Sequence, residues 1–251
     1  MKERLFMEKP MPSKLIANLK TPLSIQEINV TNSQVNIRET SLATGKEGVI
    51  ALNDINAHIS ILTNFQASAD SLKLIGQASL FGKTRIKLNY RESYQDSLSG
   101  FKMGLSLSAM DLTELNQVSI PLAALKINRG NADGVNAEWE GNKYFASGEI
   151  LLPYKNLRIN VMARKNLNRK SFLLSAENDL VNMILRKKNY KPSFMFFERN
   201  RNKFVFNYWI KTLLTGFASS IGLKGERTLK KKEDAFHSKY KLITHDRLLI
   251  R

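Results

Sequence analysis

Lys102-Met103-Gly104-Leu105-Ser106-Leu107-Ser108-Ala109 places apolar side chains at every second position, with polar or small residues between them. A period of two marks a β-strand with one face on a core and the other toward water. The same pattern recurs along the chain. Ile55, Ala57, Ile59 and Ile61 alternate with Asn56, His58 and Ser60; Val35 and Ile37 with Asn36 and Arg38; Ile86 and Leu88 flank Lys87. Turn-forming pairs punctuate these runs at Thr44-Gly45, Gly130-Asn131, Asp133-Gly134 and Gly141-Asn142. No strand–helix alternation, fixed-period repeat or Gly/Ser-rich linker is present. Residues 23–163 therefore predict a mainly β protein: a curved antiparallel sheet, β-groove-like, with a few short helices and a C-terminal amphipathic helix.

The helices are expected at four places. Pro12-Ser-Lys-Leu-Ile-Ala-Asn-Leu19 precedes the first strand. Asp111-Leu-Thr-Glu-Leu-Asn116 opens on an acidic N-cap with Glu114 three residues on, a variant of the capping box. Phe204–Leu223 is the amphipathic helix. Its wheel sets Lys203, Asn207, Lys211 and Thr215 on one edge, with Phe206, Trp209, Ile210, Leu213 and Phe217 opposite. A short helix is expected near Lys231–Tyr240.

Charge is distributed unequally. Residues 151–251 hold 23 Lys and Arg against 7 Asp and Glu, which is nearly all of the chain's net +17. The Phe204–Phe217 stripe lies inside this basic region, flanked by Arg199, Arg201 and Lys203 on one side and Lys224, Arg227 and Lys230–Lys232 on the other. Aromatic and aliphatic bulk edged by Lys and Arg suits an anionic bilayer surface. Phe206, Trp209, Phe217, Lys203, Lys211 and Lys224 are the expected membrane contacts. Arg186-Lys187-Lys188 and Lys230-Lys231-Lys232 equally suit phosphates of nucleic acid, the alternative partner. Nucleic-acid recognition, however, asks for basics interleaved with exposed aromatics, not a continuous apolar patch.

The inventory for catalysis is thin, and no catalytic, cofactor-binding or metal-binding residue is assigned. The chain has no cysteine, which removes disulfides, thiolate zinc sites and cysteine nucleophiles. His58 occupies a polar strand position, and His237 and His245 are spaced eight apart, which matches no common metal motif. Gly76-Gln-Ala-Ser-Leu-Phe-Gly82-Lys83-Thr84 resembles a phosphate-binding loop but has five residues, not four, before its Gly-Lys-Thr, and strand patterns on both sides. A turn between two strands is expected there. Glu138 and Glu140 flank Trp139 and point to one side, an arrangement that keeps a strand face soluble. The opening residues Met1–Pro10 contain no apolar run of the kind a signal peptide needs.

Several words of this chain, taken in order, resemble the C-terminal region of AsmA-like (DUF748-type) cell-envelope proteins of Bacteroidetes. They are Pro12–Leu19 leading into Leu23–Glu39, then Gly48–Ala57, Gly76–Leu88, Met110–Asn116 with Pro121-Leu122, Phe145–Ile159, and Phe206–Lys211 with Gly216 and Ile221-Gly222. The resemblance implies a β-rich body similar to the grooves of bridge-like lipid-transfer proteins. It implies a periplasmic or membrane-associated place in a bacterial envelope, and acyl chains or anionic membrane lipids, with other envelope proteins, as partners. The family also carries an N-terminal transmembrane anchor that these residues do not include, so the chain reads as a short paralogue or a piece of such a protein. On this reading residues 1–22 are a lead-in, 23–200 an AsmA-like β-sheet domain, and 201–251 a basic amphipathic helix and tail. Ile55, Ile59, Ile61, Met103, Leu105 and Leu107 are the expected groove lining, and the expected role is non-enzymatic lipid handling or scaffolding in membrane biogenesis.

Overall fold

The structure is a computed structural model that describes residues 8–41, 44–65, 71–162, 186 and 188–248. It is mainly β, as the alternation predicts. Helix α1 (Pro12–Ala17) leads into β1 (Ser24–Thr40), β2 (Glu47–Thr63), β3 (Ser71–Leu80), β4 (Thr84–Ser93), β5 (Phe101–Leu107) and the short β6 (Met110–Asp111). A 3-10 turn at Leu112–Leu115 and α2 (Asn116–Ala123) come next. They are followed by β7 (Leu125–Ala132), β8 (Val135–Gly141), β9 (Phe145–Leu151), β10 (Tyr154–Val161), β11 (Lys188–Asn189) and β12 (Ser193–Glu198). Two helices close the described chain, α3 (Val205–Ser220) and α4 (Glu226–Leu248).

Eight strands form one antiparallel sheet in the order β1-β2-β3-β4-β5-β8-β9-β12. Four others, β11-β10-β7-β6, form a second sheet that the sequence pattern did not announce. Register fixes the apolar face of the large sheet. One cross-strand row runs Ile28–Ile59–Leu74–Tyr90–Met103–Trp139, and the next runs Val30–Ala57–Gly76–Leu88–Leu105–Ala137–Ile150. The second sheet contributes Met110, Ile127, Ala132 and Tyr154 to the same buried cluster.

Local chemistry explains the joints. The Gly76–Thr84 segment is the β3–β4 hairpin: Phe81 and Gly82 both take positive φ, and Lys83 N–H donates to the Leu80 carbonyl. Asp111 caps the 3-10 turn by accepting from Thr113 N–H at 2.8 Å. Strand β12 reads Ser-Phe-Met-Phe-Phe-Glu without alternation because both of its faces are covered. Met195 meets α3 at Gly216 on one side; Phe194 and Phe196 meet α4 at Lys230 and Phe236 on the other. The tail helix is longer than its sequence suggested, and Tyr208 and Ile221 belong to the same core as the sheet. Helix α3 therefore shares the core of the large sheet.

Candidate functional site

The apolar face of the large sheet changes character across its width. Tyr90, Met103, Trp139, Ala137, Ile150 and Met195, toward the β12 edge, are buried. Ile28, Val30, Ile59 and Leu74 of β1–β3 are only half-buried although they continue the same rows, and so are Leu88 and Leu105 on the strands that carry Tyr90 and Met103; Leu72 and Leu80 of β3 are buried. Helix α3 accounts for the sealed half. Its Trp209 lies 5.0 Å from Tyr90 and its Tyr208 lies 5.9 Å from Phe101, ring centre to ring centre. A side chain on Gly216 would begin 2.4 Å from Met195, so the missing Cβ is what lets the helix sit this close.

The expected groove residues divide accordingly. Ile59, Leu105 and Leu107 are half-buried and packed on the core, on the open half or at its border. Met103 is fully buried, so it lines no open surface. Ile55 and Ile61 are half-buried outside the core cluster. Asp54 and Ile61 have positive φ, which breaks the alternation, and Leu62 packs on the core instead of Ile61.

The expected membrane face of α3 is also redrawn. The stripe it buries most deeply is Tyr208, Thr212, Thr215, Gly216, Ser219 and Ser220, small and polar apart from the tyrosine. Thr212 and Thr215 satisfy their hydroxyls on the helix's own carbonyls. Trp209 and Phe217 are half-buried and pack against the core, while Phe206 stays exposed. Lys203 and Lys224 are exposed and Lys211 is half-buried. Desolvation, then Lys232 and Lys211, hold the Lys224 ammonium below its ordinary pKa. Asn207, on the expected solvent edge, instead donates to Glu39 at 2.9 Å. There the β1–β2 hairpin closes on α3, leaving a cavity of about 20 Å³ among Ile37, Ile50, Leu122 and Ile210.

On the opposite, polar face lies an open trough of about 850 Å³ whose lining includes Asn29, His58, Gln77, Asn89, Asn136 and Glu138. Asn29 and His58 are hydrogen-bonded across β1 and β2 at 2.9 Å. Among the described residues, no group of three or more His, Asp or Glu is arranged to hold a metal ion. No helix among them is long and apolar enough to cross a membrane.

Sequence reasoning missed a buried polar knot. Glu92, on β4, accepts from Ser13 N–H at 2.8 Å, Ser13 Oγ at 2.7 Å and the Tyr90 hydroxyl at 2.8 Å. It thereby caps the first turn of α1 across a separation of 79 residues. Burial pushes its carboxyl above the ordinary carboxylate range, with the Ser13 and Tyr90 hydrogen bonds and Lys14 opposing. Arg199 is buried nearby, its Nη2 donating to the Lys9 carbonyl at 2.6 Å and its guanidinium 5.7 Å from the Tyr208 ring centre. Ser13 and Glu92 stand in unremarkable sequence settings, and only the fold joins them.

No family model matches the chain, and neither a curated protein nor a solved structure shows significant similarity to it.

Proposed function

We propose that this protein handles acyl chains at a bacterial envelope membrane, as a binding or scaffolding protein and not as an enzyme. The observation that carries the reading is the half-buried apolar wall of Ile28, Val30, Ile59, Leu74 and Leu88, a direct continuation of rows that are sealed further along the same sheet. A wall left partly open to water sacrifices about 25 cal/mol for each Å² it exposes, and a hydrocarbon chain laid along it recovers that energy. The half-buried Leu213 and Phe217 of α3 supply apolar surface next to the sealed half. The resemblance to AsmA-like envelope proteins supports the same role.

Native mass spectrometry of the purified protein, followed by lipid extraction, tests this reading. A co-purifying phospholipid or fatty acid is expected, along with saturable uptake of a fluorescent fatty acid. Uptake should fall at least about tenfold when a carboxylate is placed in the wall by Leu74→Asp, because an unpaired charge there opposes hydrocarbon by well over 1.4 kcal/mol. A protein that carries no lipid and takes up no acyl probe overturns the proposal.

A further inference from the structure

One end of the large sheet is dressed for a membrane surface. That end is defined by register: Ser24 pairs with Thr63, Ser71 with Ser93, Glu92 with Phe101, Phe101 with Gly141, and Phe145 with Glu198. The connections leaving it are the lead-in before β1, the residues after β2, the β4–β5 and β8–β9 loops, and the β12–α3 loop. Five of the ten exposed large apolar side chains among the described residues sit on these connections or the helices that start there. They are Phe204 (67% exposed), Leu15 (58%), Phe65 (55%), Phe206 (48%) and Leu19 (48%). The remaining five are spread over the β1 edge, the polar trough, α3 and the segments around Tyr190 and Leu223.

These projections are mounted on a braced platform. Asn64, beside Phe65, accepts from Leu23 N–H and donates to the carbonyls of Leu19 and Thr21. Lys9 N–H donates to the Arg201 carbonyl, and the Lys9 ammonium lies 5.1 Å from the Phe204 ring centre. Arg201 lies 5.3 Å from the ring centre of Tyr144, and Lys143 donates to the Ser97 carbonyl across the neighbouring loop. Lys14, Lys20 and Lys203 complete a basic set around the apolar one. Of the described acids at this end, Glu8 is paired with Arg201 at 3.0 Å, Glu140 with Lys102 at 3.5 Å, Asp96 accepts backbone N–H groups from Leu98 and Gly100, Glu92 is buried, and Glu198 is exposed. What projects is therefore aromatic and aliphatic bulk in a cationic rim, the composition that partitions into an anionic interface.

We infer that the protein docks end-on to an anionic bilayer through Phe65, Phe204 and Phe206, with Lys9, Lys143 and Lys203 reaching headgroups. Docking does not depend on acyl-chain uptake: a protein that binds vesicles yet takes up no acyl chain keeps this inference and loses the previous one.

Flotation with vesicles of phosphatidylcholine alone, or of an equimolar mixture with phosphatidylglycerol, is the test. The chain should float with the mixed vesicles and less with the neutral ones. Phe65→Ser, Phe204→Ser and Phe206→Ser should each weaken partitioning by about tenfold, the effect of withdrawing one ring from an apolar medium. Phe204 is the N-cap of α3 and has no side-chain cap bond, so serine there favours the helix and matched circular dichroism is expected. Lys9→Gln with Lys203→Gln should reduce the preference for phosphatidylglycerol. Leu214→Ser, Leu223→Ser and Lys224→Gln, away from this end, should leave flotation unchanged. Wild-type protein that floats with neither vesicle, a triple Phe→Ser variant that floats like wild type, or binding lost only in the Leu214/Leu223/Lys224 variant would each overturn the inference. So would a DNA duplex that the chain binds in place of vesicles.

Discussion

Two halves of one sheet carry the same alternating sequence and meet different fates. Along β8 every second residue is buried, Ala146 and Ile150 of β9 and Met195 of β12 join the same core with α3 and the second sheet, and α4 closes the outer side of β12. Along β1–β3 Ile28, Val30, Ile59 and Leu74 stay half-buried, while Leu72 and Leu80 at the two ends of β3 are buried. Alternation therefore specifies which face is apolar, while cover is decided by elements far away in the chain. The acyl-chain proposal places its ligand on the half-buried part, because apolar surface that the protein does not bury itself is left for a ligand.

The largest expected effect comes from truncating matched positions on the two halves. Met103→Ala, in the sealed half, should lower unfolding free energy by about 2–5 kcal/mol, since it removes buried atoms and leaves a cavity. Leu74→Ala, on the same cross-strand row but half-buried, should lower it by roughly 1 kcal/mol, because less area is lost and water fills the space. Urea titration measures both. Equal losses would erase the distinction between the halves.

A smaller effect concerns the Glu92 knot, which ties α1 to the sealed half. The folded-state pKa of Glu92 is raised by burial. A carboxyl raised on folding contributes fully below its unfolded pKa, and that contribution is lost as pH climbs through the folded value. The stability of the native chain relative to Glu92→Gln should therefore decline from acidic toward neutral pH and level off above the folded pKa. Paired urea titrations across that window check this. A difference that stays flat, or that grows with pH, would contradict the burial-dominated assignment.

Much of this was legible in the residues. Period-two runs such as Met103–Leu107 give strands, and the Gly76–Thr84 spacing gives a hairpin instead of a phosphate loop. The unalternating Phe194-Met195-Phe196-Phe197 run carries a signal of two-sided burial. Other features resisted for physical reasons. Helix α3 buries Thr212, Gly216, Ser219 and Ser220 because small side chains let it approach β9 and β12, so a hydrophobicity wheel points to the wrong face. The left-handed backbone at Asp54 and Ile61 shifts the β2 pattern by positions that residue type does not reveal. The Ser13–Glu92 contact depends on tertiary placement alone.

Hydrogen–deuterium exchange, read strand by strand with and without a saturating fatty acid, tests the central claim most directly. In the free protein the amides of β1–β3 should exchange faster than those of β8 and β9, since local opening follows the lack of packed apolar cover. With the fatty acid, protection should rise in β1–β4 and stay unchanged in β8 and β9. Uniform exchange across the sheet, or protection by the fatty acid that falls on β8 and β9 or nowhere, would contradict the account.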